Sequence, residues 1–142
     1  MTEKVLLVDD EVEFVEPLAE RMRARGMNVS TTTSPTDALS RAEKENYDAI
    51  VLDLMMPEMD GLQTLEAMKK KNPDIQVILL TGHATVEKGI EAMKHGAMDF
   101  LEKPVDIKSL SEKIHKAQAK KMVLVEKKNE EKIRNIILNK SW

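Results

Sequence analysis
A chain of 142 residues has room for one domain and an appended element, and 42% hydrophobic with 33% charged residues is a globular balance, neither disordered nor fibrous. The lack of cysteine removes disulfides and thiolate metal sites and fits a reducing cytoplasm, while 3% aromatic residues argue against a stacked RNA-reading sheet. The net charge of -3 is uneven: residues 1–107 carry 12 basic and 21 acidic side chains and residues 108–142 carry 10 and 4, so the acidic body disfavours a nucleic-acid backbone and the basic tail reads as a solvated helix face.

In chain order, the first apolar run is Lys4 to Val8, a predicted strand too short for a signal-peptide core or a membrane span. A soluble cytoplasmic protein is therefore expected. Asp9, Asp10 and Glu11 follow, then a helical pattern through Leu18 and Met22, in which Pro17 predicts a kink or a lost hydrogen bond. After Gly26 come a strand over Asn28 to Thr32, the Ser34-Pro35 turn and a helix carrying Leu39 and Ala42. The next strands are Ala49 to Leu52, Ile75 to Leu80 and Met98 to Leu101, separated by the turn signals Pro57 with Gly61, Asn72-Pro73, Gly82 and Gly96. Ile90 and Met93 mark the fourth helix, and Ile107, Leu110, Ile114 and Ala117 mark the packed face of the fifth. Five alternations of strand and helix imply a doubly wound parallel sheet covered on both faces, an α/β fold. The uniformly apolar Val5 to Val8 and Ile50 to Leu52 suit central strands of such a sheet.

The polar residues fall on the strand ends. Asp9 and Asp10 follow the first strand, Asp53 ends the third, Thr81 ends the fourth and Lys103 comes just after the fifth. Open α/β sheets bind ligands there, in the crevice outside the carboxyl ends. Taken singly, Asp9-Asp10 could cap a helix, Asp60 reads as a cap or turn residue, Thr81-Gly82 could be a plain turn and Lys103 a surface lysine. Their joint placement outweighs those readings. His83, His95 and His115 have no metal-binding spacing and read as surface residues, and the ten methionines read as core filler or adaptable surface. No G-x-G-x-x-G or G-x-x-x-x-G-K motif follows any strand, which sets a nucleotide-binding domain aside.

Four segments carry a resemblance: Val5 to Glu11, Ile50 to Pro57 with Asp60-Gly61, Leu79 to Gly82, and Gly96 to Pro104. From residue 4 to about 118 the chain resembles the receiver domain of bacterial response regulators, of the CheY-like superfamily. The resemblance implies a five-stranded flavodoxin-like (βα)5 sheet in the order 2-1-3-4-5, which brings Asp9 and Asp10 beside Asp53. It implies Asp53 as phosphoacceptor. It implies magnesium (Mg2+) on Asp10, Asp53 and the backbone carbonyl of Met55, with Asp9 acting through water. Thr81 and Lys103 would contact the phosphoryl group, and the Lys103-Pro104 bond would be cis. Thr81 and Phe100 would form the switch, with Phe100 lacking the hydroxyl of the commoner tyrosine. A haloacid dehalogenase-type phosphatase is the alternative, but that family places a second aspartate two residues past the nucleophile, where this chain has Met55.

The implied partners are a sensor histidine kinase or phosphotransfer protein and a downstream protein. A homodimer could form through helix 4, strand 5, helix 5 or the C-terminal helix. Residues 1–120 are expected to form the receiver and 121–142 a C-terminal helical extension. No Gly or Pro interrupts that extension before Ser141, and Asn129 lies within a polar stretch between apolar groups, which suggests a short coiled coil and phosphorylation-sensitive self-association.

Overall fold
The computed structural model describes residues 2–54, 61–82 and 86–139. Its elements are β1 (Lys4–Val8), α1 (Val12–Ala24), β2 (Asn28–Thr32), α2 (Pro35–Lys44) and β3 (Ala49–Asp53), then α3 (Gly61–Lys71), β4 (Val77–Thr81), α4 (Val86–Lys94), β5 (Asp99–Glu102) and α5 (Ile107–Asn139). The five strands pair in parallel in the order β2-β1-β3-β4-β5, the order that the resemblance implied. Because β1 lies between β2 and β3, the chain reverses direction there, and a crevice opens past Val8 and Asp53.

The sheet separates two apolar layers, as the alternation of side chains along a strand requires. Val5, Leu7, Val51, Ile78 and Leu80 point to one face and meet Leu18 and Met22 of α1 and Leu110, Ile114 and Ala117 of α5. Leu6, Val8, Ile50, Leu52 and Leu79 point to the other and meet Ala38, Leu65, Met68 and Ala92 from α2, α3 and α4. β1, β3 and β4 are buried almost throughout, which accounts for their uninterrupted apolar sequences.

Local signals set the ends of several elements. Ser34 Oγ accepts a hydrogen bond from the Asp37 N–H at 3.2 Å, and Pro35 opens α2 where its missing donor costs nothing. Gly26 and Gly96 take φ of 90° and 98° just past α1 and α4, the left-handed turn that closes a helix. α1 runs unbroken through Pro17, so the anticipated interruption is limited to the carbonyl of Glu13, which loses its helical donor. β4 and β5 begin later than the apolar runs suggested, at Val77 and Asp99. Ile75 instead donates its N–H to Asn72 in the preceding turn, and Met98 donates to Val77. α5 extends for 33 residues, from Ile107 to Asn139, and so runs on past residue 120 to the end of the described residues of the C-terminal segment. No helix among the described residues is long and apolar enough to cross a membrane.

Candidate functional site
Strand register determines which side chains meet at the carboxyl edge. Val8 pairs with Leu52, so Asp9 leaves β1 beside Asp53 at the end of β3. Asp53 pairs with Leu80, and Thr81 pairs with Glu102, which puts Thr81 one residue beyond that level and Lys103 just past it. The Lys103 N–H donates to the Thr81 carbonyl at 2.8 Å, an extra rung that carries the lysine back over the crevice. The Lys103-Pro104 bond is cis, as the resemblance implied.

Gly61 closes the other side. Its N–H donates to the Leu54 carbonyl at 2.6 Å, and a Cβ there would lie 2.5 Å from Leu54 Cα and 2.7 Å from the Asp53 carbonyl oxygen. Only glycine lets the start of α3 approach the end of β3 so closely.

Asp9, Asp10, Glu11 and Asp53 each offer a carboxylate oxygen within 4.8 Å of the others. Asp9 is fully buried and Asp53 is 3% exposed. Lys103 Nζ donates to Asp9 Oδ2 at 2.8 Å and lies 3.6 Å from Asp53 Oδ1 and 3.7 Å from Glu11 Oε1. Burial by itself would lower the Lys103 pKa; the Asp9 hydrogen bond and the charges of Asp53, Asp9 and Glu11 outweigh it and hold the ammonium above its ordinary value. Asp9 Oδ1 accepts the Glu11 N–H at 2.9 Å, which fixes the turn into α1. The Lys103 ammonium also stands 4.3 Å from the centroid of the Phe14 ring, an additional cation-holding contact.

Among the described residues, four carboxylates against one ammonium leave an excess of negative charge in a crevice where Asp9 and Asp53 are buried and Glu11 faces solvent. Such a cluster favours a bound cation, and a set of oxygen donors without thiolate or imidazole suits a hard ion such as magnesium. The site therefore unites Asp9, Asp10, Asp53 and Lys103 as the sequence suggested, with Thr81 on the adjoining strand end. Met55, Asp60 and His83 lie outside the described residues. Glu11 and Phe14 were missed as site residues. Glu11 could have been suspected from its place directly after two aspartates, whereas only the fold brings Phe14 under Lys103.

Phe100 sits one strand away, half-buried. Its ring packs on Gly89 of α4 so tightly that a Cβ at that position would fall 2.4 Å from Cζ. Thr81 and Phe100 line one small cavity together with Leu54, Leu79, Lys88, Gly89 and Ala92. On its outer side Phe100 borders an apolar groove with Gly89, Ile90 and Met93.

Known proteins place this arrangement in context. Residues 5–115 match the family described as the response regulator receiver domain. The chain is 39% identical over 115 residues to the transcriptional regulatory protein ZraR of Salmonella typhimurium, which covers 81% of this chain and 26% of that protein. It is 35% identical over 106 residues to the probable transcriptional regulatory protein TcrX of Mycobacterium tuberculosis, covering 75% and 45%. The chain thus spans between about a quarter and a half of these relatives. Among solved structures, a receiver domain protein from Clostridium thermocellum superposes with a TM-score of 0.81 at 34% identity, covering 86% of this chain and 98% of that one. The beryllofluoride-activated NtrC4 receiver domain dimer superposes with a TM-score of 0.78 at 32% identity, covering 83% and 98%.

Proposed function
This chain belongs to the response regulator receiver domains of two-component signalling, and on that premise we propose that Asp53 accepts a phosphoryl group from a sensor histidine kinase or phosphotransfer protein. The observation that carries this reading is the setting of Asp53: a buried carboxylate at a strand end, 3.6 Å from the Lys103 ammonium and clustered with Asp9 and Asp10. A carboxylate oxygen of Asp53 attacks phosphorus. The bond from phosphorus to the donor nitrogen breaks, the imidazole leaves with a proton, and an acyl phosphate forms on Asp53.

Each neighbour has a part in that step. Lys103 neutralises charge on the transferring oxygens, and the buried Asp9 holds the ammonium in position. Thr81 donates its hydroxyl to a phosphoryl oxygen. Asp10, Asp53 and the Met55 carbonyl would hold magnesium directly, with Asp9 acting through water; when bound, the ion supplies further neutralisation of phosphoryl charge. No general acid stands two residues past Asp53, where the phosphatase alternative needs one, so the protein is read as a phosphoacceptor and not a turnover enzyme.

The response travels through the cavity shared by Thr81 and Phe100. Movement of Thr81 toward the phosphoryl group frees space for the Phe100 ring, which reshapes the apolar groove of α4 and β5 beside α5. That face is the proposed contact for a downstream protein or a second copy. The setting is the cytoplasm. In the test, the protein is incubated with acetyl phosphate and magnesium. Uptake should reach one phosphoryl group per chain and stop, and it should not occur when magnesium is chelated beforehand. Continuous release of many equivalents of phosphate would favour the phosphatase instead.

A further inference from the structure
We infer that residues 122–136 of α5 pair with the same segment of a second copy, in parallel and in register. Met122, Val125, Asn129, Ile133 and Ile136 are 3, 4, 4 and 3 residues apart. At 3.6 residues per turn this spacing aligns them in one narrow stripe. The apolar four are 43%, 42%, 58% and 53% exposed, and Asn129 is exposed between them. The interval of 11 residues from Met122 to Ile133, and again from Val125 to Ile136, suits nearly straight helices packed side by side.

Among the described residues, the body of the protein meets α5 to one side of this stripe. Lys121 Nζ donates to Asn46 Oδ1 and the Tyr47 carbonyl, both at 2.7 Å, and Lys128 pairs with Asp74. These lysines directly precede Met122 and Asn129, so the body lies roughly a quarter-turn from the stripe. A two-fold axis parallel to the helices would put the two bodies on opposite sides of the pair.

Charge selects a second copy and its direction. Lys128 and Lys132 precede Asn129 and Ile133, while Glu126 and Glu130 follow Val125 and Asn129, so one border of the stripe is basic and the other acidic. In a parallel two-fold pair the acidic border of one helix faces the basic border of the other. An antiparallel pair sets like against like. Asn129 then meets its own copy at the middle, where a buried amide fixes register in parallel pairs. The pairing does not depend on the chemistry assigned to Asp53.

The absence of cysteine makes the test direct. Met122→Cys and Ile136→Cys, each introduced alone into the full chain, should form a disulfide-linked dimer under mild oxidation, and the unmodified protein should sediment as a dimer. Val125→Glu with Ile133→Glu should sediment as a monomer while keeping its thermal unfolding transition, and Asp53→Asn should remain dimeric. Cross-linking only when the two cysteine variants are mixed would overturn the proposal in favour of antiparallel pairing. A monomeric unmodified protein, or a double-glutamate variant that stays dimeric through another face, would overturn it as well.

Discussion
The contact between Gly89 and Phe100 is where a single atom has the largest consequence. In an exposed helix, replacing glycine by alanine gains about 1 kcal/mol of helix propensity. At Gly89 the added methyl would lie 2.4 Å from the Phe100 ring, and overpacking typically costs about 1–3 kcal/mol. The cost exceeds the gain, so Gly89→Ala should be neutral to about 2 kcal/mol less stable in urea, with the Phe100 ring displaced from α4 in its proton NOE pattern. A gain of about 1 kcal/mol with an unchanged pattern would contradict the contact. Tyr47 allows a second check because the chain has no other tyrosine. Burial, then the hydrogen bond to Glu45, raises its phenol to about 12. A pKa raised on folding stabilises the protein fully below the ordinary value of about 10 and loses that contribution as pH climbs through the raised one. Ultraviolet titration of tyrosinate should therefore have its midpoint near 12 while the fold persists; ionisation near 10 would show that Tyr47 is not held as described.

Among the elements, α5 has two regimes on one continuous helix. Its first turns are stabilised by the sheet, through the fully buried Leu110, Ile114 and Ala117, whereas Ile133, Ile136 and Ile137 are more than half exposed. Ile114→Ala should cost about 2–5 kcal/mol in chemical denaturation, and Ile137→Ala should stay within about 0.5 kcal/mol; equal losses would contradict this division. The central strands were legible because buried parallel strands are apolar on both faces, as Lys4–Val8 is, whereas the edge strand Asn28–Thr32 is partly exposed and was marked by its β-branched residues between turn signals. The starts of β4 and β5 were less legible. Ile75 and Met98 are as apolar as a strand residue; the turn bond to Asn72 holds Ile75 outside β4, while Met98 donates to Val77 at the margin of the β4–β5 ladder, just before β5 begins. Similarly, Pro17 argued for a kink or a lost hydrogen bond, and with Leu18, Ala19 and Met22 packed on the sheet α1 continues through it, leaving only the Glu13 carbonyl without its helical donor.

At the scale of the molecule, the strand order turns separate motifs into a site. Asp9, Asp10, Asp53, Thr81 and Lys103 could be picked out because each follows an apolar run, a pattern a sequence displays. What a sequence cannot display is distance. The role of Lys103 as the counter-charge of Asp9, the participation of Glu11 and the support from the Phe14 ring depend on β1 lying beside β3 and β5 lying beyond β4. On the proposed reading, the same geometry gives the two buried aspartates different parts: Asp9 accepts a hydrogen bond from the ammonium at 2.8 Å, while Asp53, at the end of β3, lies 3.6 Å from it and is the acceptor of the phosphoryl group. The most direct test is to phosphorylate the protein with acetyl phosphate and magnesium, trap the acyl phosphate with borohydride, and locate the reduced residue by peptide mass spectrometry. The label should map to Asp53 alone and disappear in Asp53→Asn. Recovery of the label on Asp9 or Asp10, or full labelling of Asp53→Asn, would contradict the account.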